Sequence, residues 1–169
     1  FDCSYLTGLR TAAVSAIAAR LCARADARVL ALAGCGFQGR MHLRFLTALL
    51  PGIREVRLYD VRREGAEGVA AEAKAFFAGE VRIATDPAQC LTGADVISTC
   101  TNGDDQIVAP QTFAPGAFGV GIEGGCAYTA EALHSANKFL VDDVPLAEYF
   151  DRIAKDRKKE DGTPDPEFP

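Results

Sequence analysis

The chain has 169 residues, enough for one domain of ordinary size with a hydrophobic core. Hydrophobic residues make up 49% and charged residues 24%, and the formal net charge is -5 with a pI near 5.1. That balance argues against a nucleic-acid binder or a membrane-surface binder, because both need a basic face.

No apolar run approaches the roughly 20 residues that span a bilayer, and no signal peptide is visible. The sequence begins with Phe1 rather than Met and ends in Thr163-Pro164-Asp165-Pro166-Glu167-Phe168-Pro169. It reads as part of a longer protein.

In chain order, Leu6 to Arg24 predicts one helix, with Leu6, Leu9, Ala13, Ile17 and Leu21 at helical spacing and Val14 nearby. Arg28 to Ala33 is a short apolar run that suits a buried parallel strand. It leads straight into Gly34-Cys35-Gly36-Phe37-Gln38-Gly39. From Phe37 to Leu50 the period is helical again, closed by Pro51-Gly52. Val56 to Asp60 is a second strand and Arg62 to Phe77 a third helix. Val81 to Ala84 is a third strand, followed by a short helix opened by Asp86 and Pro87.

Ala94 to Cys100, Ala117 to Ile122 and Lys138 to Asp142 predict the fourth, fifth and sixth strands, with a helical turn at Ala130 to Ser135. An amphipathic stretch from Val144 to about Arg157 precedes a polar, proline-rich tail. Strands that alternate with helices, and that are apolar without strict alternation, imply an α/β fold. The expected form is a doubly wound, mostly parallel sheet covered on both faces.

The six cysteines include no Cys-x-x-Cys pair, and only His42 and His134 could join them, so no metal site is expected. A reducing cytoplasm is the simplest setting. Cys35 lies at a helix start, where thiol acidity tends to rise. The plainer reading is a small residue that fits a tight turn.

The glycine pattern follows a strand and opens a helix, and Asp60 ends the next strand. In that context it predicts a dinucleotide site. Gly34 allows the turn, Gly36 lets backbone approach a pyrophosphate, and Gly39 lets helix and strand pack closely. The amides at the helix start, Phe37 and Gln38 among them, would hold phosphates. Asp60 would accept the ribose hydroxyls and favour NAD, while Arg62 and Arg63 leave NADP possible. Thr99, Thr101 and Asn102 follow the fourth strand. Gly119-Val120-Gly121-Ile122-Glu123 follows the fifth, where a nicotinamide would lie.

From about Tyr5 to Asp143 the sequence resembles the ornithine cyclodeaminase/mu-crystallin family. The resemblance rests on Leu9-Arg10-Thr11-Ala12-Ala13, Gly34 to Arg40, Gly93 to Thr101, Ala114-Pro115-Gly116-Ala117 and Phe139 to Asp143. It implies a Rossmann NAD(P)-binding domain at 28–143. Residues 1–27 would form a helix linking to a substrate-binding, dimer-forming domain, and 144–169 a C-terminal helix and tail. It also implies an oxidoreductase acting on an amino acid, cyclic imine or ketimine, as a homodimer.

By position, Arg10 would hold a carboxylate and Thr101 would lie near the cofactor. Gly119, Val120, Gly121 and Ile122 would line the nicotinamide pocket. One departure is clear. Gly125 falls where the family's proton-transferring aspartate would be, so dehydrogenation or imine reduction is favoured over cyclodeamination within a cyclodeaminase-like enzyme, and Glu123 becomes the candidate proton carrier. The alternative is a mu-crystallin-like nucleotide binder with little or no catalysis.

Overall fold

The structure is a computed structural model and describes residues 3–103, 105–123, 127–141 and 143–145. Helices and strands alternate: α1 (Cys3–Cys22), β1 (Val29–Ala33), α2 (Phe37–Leu49), β2 (Glu55–Tyr59), α3 (Arg63–Ala73), β3 (Glu80–Ile83), α4 (Pro87–Leu91) and β4 (Val96–Thr99). A 3-10 turn (Pro110–Thr112), β5 (Phe118–Gly121) and α5 (Ala130–Ser135) follow. All pairings between strands are parallel, in the order β3-β2-β1-β4-β5. This is the doubly wound α/β sheet expected from the sequence. Packing divides the chain into residues 1–129, which hold α1 and the sheet, and residues 130–169, which hold α5.

The hydrophobic pattern explains the strand positions. β1 is apolar throughout, β4 adds the buried Ser98 and Thr99 to Val96 and Ile97, and both strands are buried on both faces, so they take the centre. β3 carries Glu80 and Arg82 and lies at an edge, where charge discourages further pairing. Leu30, Leu32, Val56, Leu58 and Val96 form one core cluster with Leu43 and Leu46 of α2 and Val69 of α3.

The buried face of α1 differs from the expected one. Leu6, Ile17, Leu21 and Val14 are exposed, and the residues that pack inward are Gly8, Ala12, Ser15, Ala16 and Ala19. The reason is distance. α1 lies so close to α2 that a side-chain Cβ at Gly8 would stand 2.5 Å from the Phe37 ring, so only small residues fit between the helices. Helical period and side-chain size favoured the larger face, and steric fit against α2 selected the smaller one.

The interface between α1 and α2 carries one polar pin. His42 of α2 is fully buried, with Nδ1 2.8 Å from the Gln38 carbonyl and Nε2 2.9 Å from the Ser15 hydroxyl of α1. Burial holds its pKa below the usual histidine value. The neutral ring therefore donates from Nδ1 to Gln38 and accepts the Ser15 hydroxyl at Nε2.

At the far end of α1, Arg24 donates to Asp95 and to the Pro115 carbonyl, and Asp95 also accepts the amides of Arg28 and Val29. These bonds fix the C-terminal end of α1 beside the starts of β1, β4 and β5. Its N-terminal half, including Arg10, therefore lies toward the strands' carboxyl ends.

The expected sixth strand is corrected. Residues 138–141 form no strand among the described residues, and Phe139, Leu140 and Val141 are exposed. A run of β-forming residues becomes a strand only when a neighbour satisfies its amides and carbonyls. Asp142 lies outside the described residues, as does nearly all of the stretch expected from Val144 to Arg157 and the tail after it.

Candidate functional site

Register brings the candidate residues into one row. Ala33 pairs with Tyr59 on one side and with Thr99 on the other, and Thr99 pairs with Gly121. The chain therefore leaves four adjacent strands at the same level. Emerging side by side are the glycine turn, Asp60, Cys100-Thr101 and Ile122-Glu123. The order of the strands reverses between β1 and β4, and ligands of open parallel sheets bind at such a crevice.

Gly34 has φ +91° and donates its amide to the Tyr59 carbonyl at 2.8 Å. A Cβ there would lie 2.3 Å from the Cys100 carbonyl oxygen, so glycine is required for both conformation and space. A Cβ on Gly39 would lie 2.0 Å from the Gly34 carbonyl oxygen. Gly36 is different: a Cβ there would meet nothing within 4 Å. Open space thus stands at the N-cap of α2. Its first intrahelical bond to Gly36 comes from Arg40, which leaves the amides of Phe37, Gln38 and Gly39 for a ligand.

Asp60 first of all braces this turn. One carboxylate oxygen accepts the Cys35 amide at 2.7 Å and the other accepts the Arg62 amide at 2.8 Å. Each oxygen keeps a second acceptor direction, so ribose hydroxyls can still be bound. Beside it lies a groove of about 380 Å³ lined by Cys35, Gly36, Phe37, Arg40, Arg62, Glu64 and Gly65.

The two arginines after Asp60 are not equivalent. Arg63 pairs with Glu67 at 2.9 Å, whereas Arg62 lines the groove with its side chain 80% exposed and 4.0 Å from Asp60. Arg40, also at the groove, pairs with Glu72 of α3.

Cys35 is buried in the turn, and burial together with the Asp60 charge pushes its thiol up to about 12. Burial does the same to Cys90 and Cys100. These are packing thiols, the plainer of the two readings of Cys35.

At the ends of β4 and β5 a second group of side chains converges. The hydroxyls of Thr99, Thr101 and Tyr128 and one carboxyl oxygen of Glu123 are buried, and none completes a hydrogen bond of normal geometry. The other Glu123 oxygen accepts the Ile122 amide at 3.0 Å. Burial raises the Glu123 pKa above the usual carboxylate range, opposed by the nearby Thr99 hydroxyl and the local amides.

Gly119 and Gly121 leave room for an aromatic ring. A Cβ on either would lie 3.1 Å from the Tyr128 oxygen or 2.9 Å from a Tyr128 ring carbon, respectively. Ile122 turns to the opposite face and packs against the core. Val120 is half-buried between them.

Arg10 is exposed on α1 and falls on one helical stripe with Leu6, Ile17 and Leu21. Thr11 and Gln38 each keep a buried side-chain oxygen without a partner where α1 meets the turn. Gly125 lies outside the described residues.

Two site features were not anticipated from the sequence. Tyr128 stands in Ala-Tyr-Thr, which carries no local signal, and an isolated parallel bridge between Val108 and Tyr128 brings it to the site. Gly65 approaches Asp60 so closely that a Cβ would stand 3.3 Å from the carboxyl carbon. Its spacing from Asp60 fits the start of a helix after β2, but only the fold makes that closeness visible.

The fold and the uncapped glycine turn define a Rossmann-type dinucleotide-binding domain. The model of the ornithine cyclodeaminase/mu-crystallin family matches residues 1–149, and the chain belongs to that family. It is 35% identical over 127 residues to an ornithine cyclodeaminase of Agrobacterium fabrum, covering 74% of this chain and 35% of the relative. It is 36% identical over 116 residues to the ketimine reductase mu-crystallin of Mus musculus, covering 69% of this chain and 36% of that protein.

Among solved structures, an archaeal alanine dehydrogenase dimer with bound NAD is similar at a TM-score of 0.64 and 28% identity. The match covers 70% of this chain and 36% of that one. The chain spans about a third of the length of the curated relatives it matches. Among the described residues, no helix is long and apolar enough to cross a membrane.

Proposed function

We propose that the chain is the nucleotide-binding part of an NAD(P)-dependent oxidoreductase that acts on an amino acid, a cyclic imine or a ketimine, with NAD preferred. The observation that carries this reading is the open space at Gly36, in front of the free amides of α2 and beside Asp60.

The dinucleotide supplies the hydride chemistry when bound, and the protein orients it. The amides of Phe37, Gln38 and Gly39 hold the pyrophosphate and Asp60 the adenosine ribose. Thr101 and the stretch Gly119 to Ile122 flank the nicotinamide end. Arg10 pairs with the substrate carboxylate, since a guanidinium and a carboxylate bond in two places at once. Glu123, whose carboxyl burial pushes upward, exchanges a proton with the substrate nitrogen. The bulky face of α1, on which Arg10 stands, is covered by the substrate-binding and dimer-forming remainder of the protein.

The test has two arms. NADH and NADPH are titrated by fluorescence quenching, and amino acids with NAD, or imines with NADH, are screened by absorbance. Micromolar NADH binding with turnover of one substrate class is expected. A protein that binds neither nucleotide contradicts the reading. A second reading, nucleotide binding without efficient catalysis, is favoured by Gly125 standing where the family aspartate would be. Activity that arises only in Gly125→Asp would establish that second reading.

A further inference from the structure

We infer that Tyr128 and Thr99 are positioning residues for Glu123, a pair of buried hydroxyls that holds its carboxyl in the conformation from which it exchanges a proton with substrate. The inference rests on the reading of Glu123 as the proton-handling group.

Three groups converge on one point. The position a Cβ of Gly121 would take is 3.0 Å from the Thr99 hydroxyl, 3.4 Å from the free Glu123 oxygen and 2.9 Å from the Tyr128 ring. The absence of that Cβ, and of one at Gly119, is what admits the ring. Packing alone then fixes the ring: it stacks on Phe113 with centroids 6.3 Å apart, and the backbone on either side of Tyr128 bonds to Val108.

A phenylalanine would pack as well. The phenol adds only a buried hydroxyl with no completed bond, which destabilises the fold if it has no use. Thr99 is fully buried between Tyr128 and Glu123 and lowers the proton affinity of both. A threonine hydroxyl can donate once and accept as well, so Thr99 stands where small side-chain adjustments link the phenol and the carboxyl in one chain.

The titratable groups that face Glu123 among the described residues are Tyr128 and Cys100. Both stay protonated at neutral pH, since burial pushes each upward. Glu123 is therefore the member of the cluster whose charge changes. Its O–H bond breaks as the substrate N–H bond forms in imine reduction, and the reverse holds in oxidation.

The experiment follows the Glu123 carboxyl by carbon-13 NMR through a pH titration of the nucleotide-free chain. Thr99→Val keeps the side-chain shape and Tyr128→Phe keeps the ring, and each removes one hydroxyl. Both variants are expected to titrate Glu123 higher than wild type, Thr99→Val by roughly half a pH unit or more and Tyr128→Phe by less.

In the turnover assay the Glu123 limb of kcat/KM, alkaline for imine reduction and acidic for oxidation, should move in the same direction, while KM for the nucleotide stays unchanged. An unchanged Glu123 midpoint in both variants overturns the inference and leaves the oxidoreductase reading intact. Shifted midpoints in the variants, with no substrate turned over by the full-length protein, overturn the oxidoreductase reading instead, and with it the catalytic purpose of the pair.

Discussion

Asp60 accepts the backbone amide of Cys35 at 2.7 Å, so an acid at the end of β2 sets the shape of the turn at the end of β1. The same carboxylate holds the Arg62 amide at the start of the groove. Bonds from a carboxylate to backbone amides are charge-assisted and stronger than neutral ones. Asp60→Asn replaces one acceptor oxygen with an N–H group that faces an amide. It should lower unfolding free energy by about 1–3 kcal/mol and weaken NADH binding at least as much. Urea denaturation and nucleotide titration measure the two losses separately.

Gly34 and Gly36 should respond in opposite ways. Gly34→Ala forces a side chain at φ +91° against the Cys100 carbonyl, and a loss of roughly 2–4 kcal/mol in stability is expected. Gly36→Ala meets no neighbour and should melt within about 0.5 kcal/mol of wild type. The new methyl fills the space in front of α2, so nucleotide affinity should fall on the order of tenfold or more, about 1.4 kcal/mol. Thermal denaturation of both, with NADH titration of Gly36→Ala, checks the contrast. Equal NADH affinity in Gly36→Ala and wild type would place the pyrophosphate elsewhere.

His42 makes stability depend on acid. The folded protein keeps the ring neutral, with a pKa below the usual value, while the unfolded chain titrates near about 6.5. The unfolded state thus binds more protons below that pH. The contribution of His42 is whole above pH 6.5 and declines as pH falls toward the lowered folded pKa, by at most about 1.4 kcal/mol per pH unit. His42→Gln should be less stable at pH 7.5, through loss of the Ser15 and Gln38 contacts, yet lose less than wild type between pH 7.5 and 5.5. Denaturant midpoints at both pH values give the comparison.

Thiol reactivity should divide by burial. Cys3 and Cys22 are exposed, whereas Cys35, Cys90 and Cys100 are buried with thiols held near 12. Brief iodoacetamide treatment of the native protein at pH 8 should label Cys3 and Cys22 and spare the other three. Mass spectrometry of the digest reads this directly. Fast labelling of Cys35 would revive a redox role for the turn.

Choice of nucleotide should depend on Arg62 more than on Arg63, because Arg63 is already paired with Glu67. Arg62→Ala should weaken NADPH binding on the order of tenfold and leave NADH nearly unchanged, while Arg63→Ala should spare both. Dissociation constants for the two nucleotides in each variant test it.

The alternation of strands and helices, the buried parallel strand at Arg28 to Ala33 and the turn at Gly34 to Gly39 were legible in the sequence. These follow from period, hydropathy and backbone freedom, which are local properties. Asp60 was legible too, through its spacing from the turn.

Tertiary structure decided what proximity alone controls. The small face of α1 turned inward because α2 leaves no room for the large one. Residues 138–141 formed no strand because a strand needs a neighbour as well as a composition. Asp60 became a brace for the Cys35 amide, and Tyr128 reached Thr99 and Glu123, because parallel register sets the strand ends side by side. Pairing between distant segments has no signature in the segments themselves, so those contacts exist only once the sheet has formed.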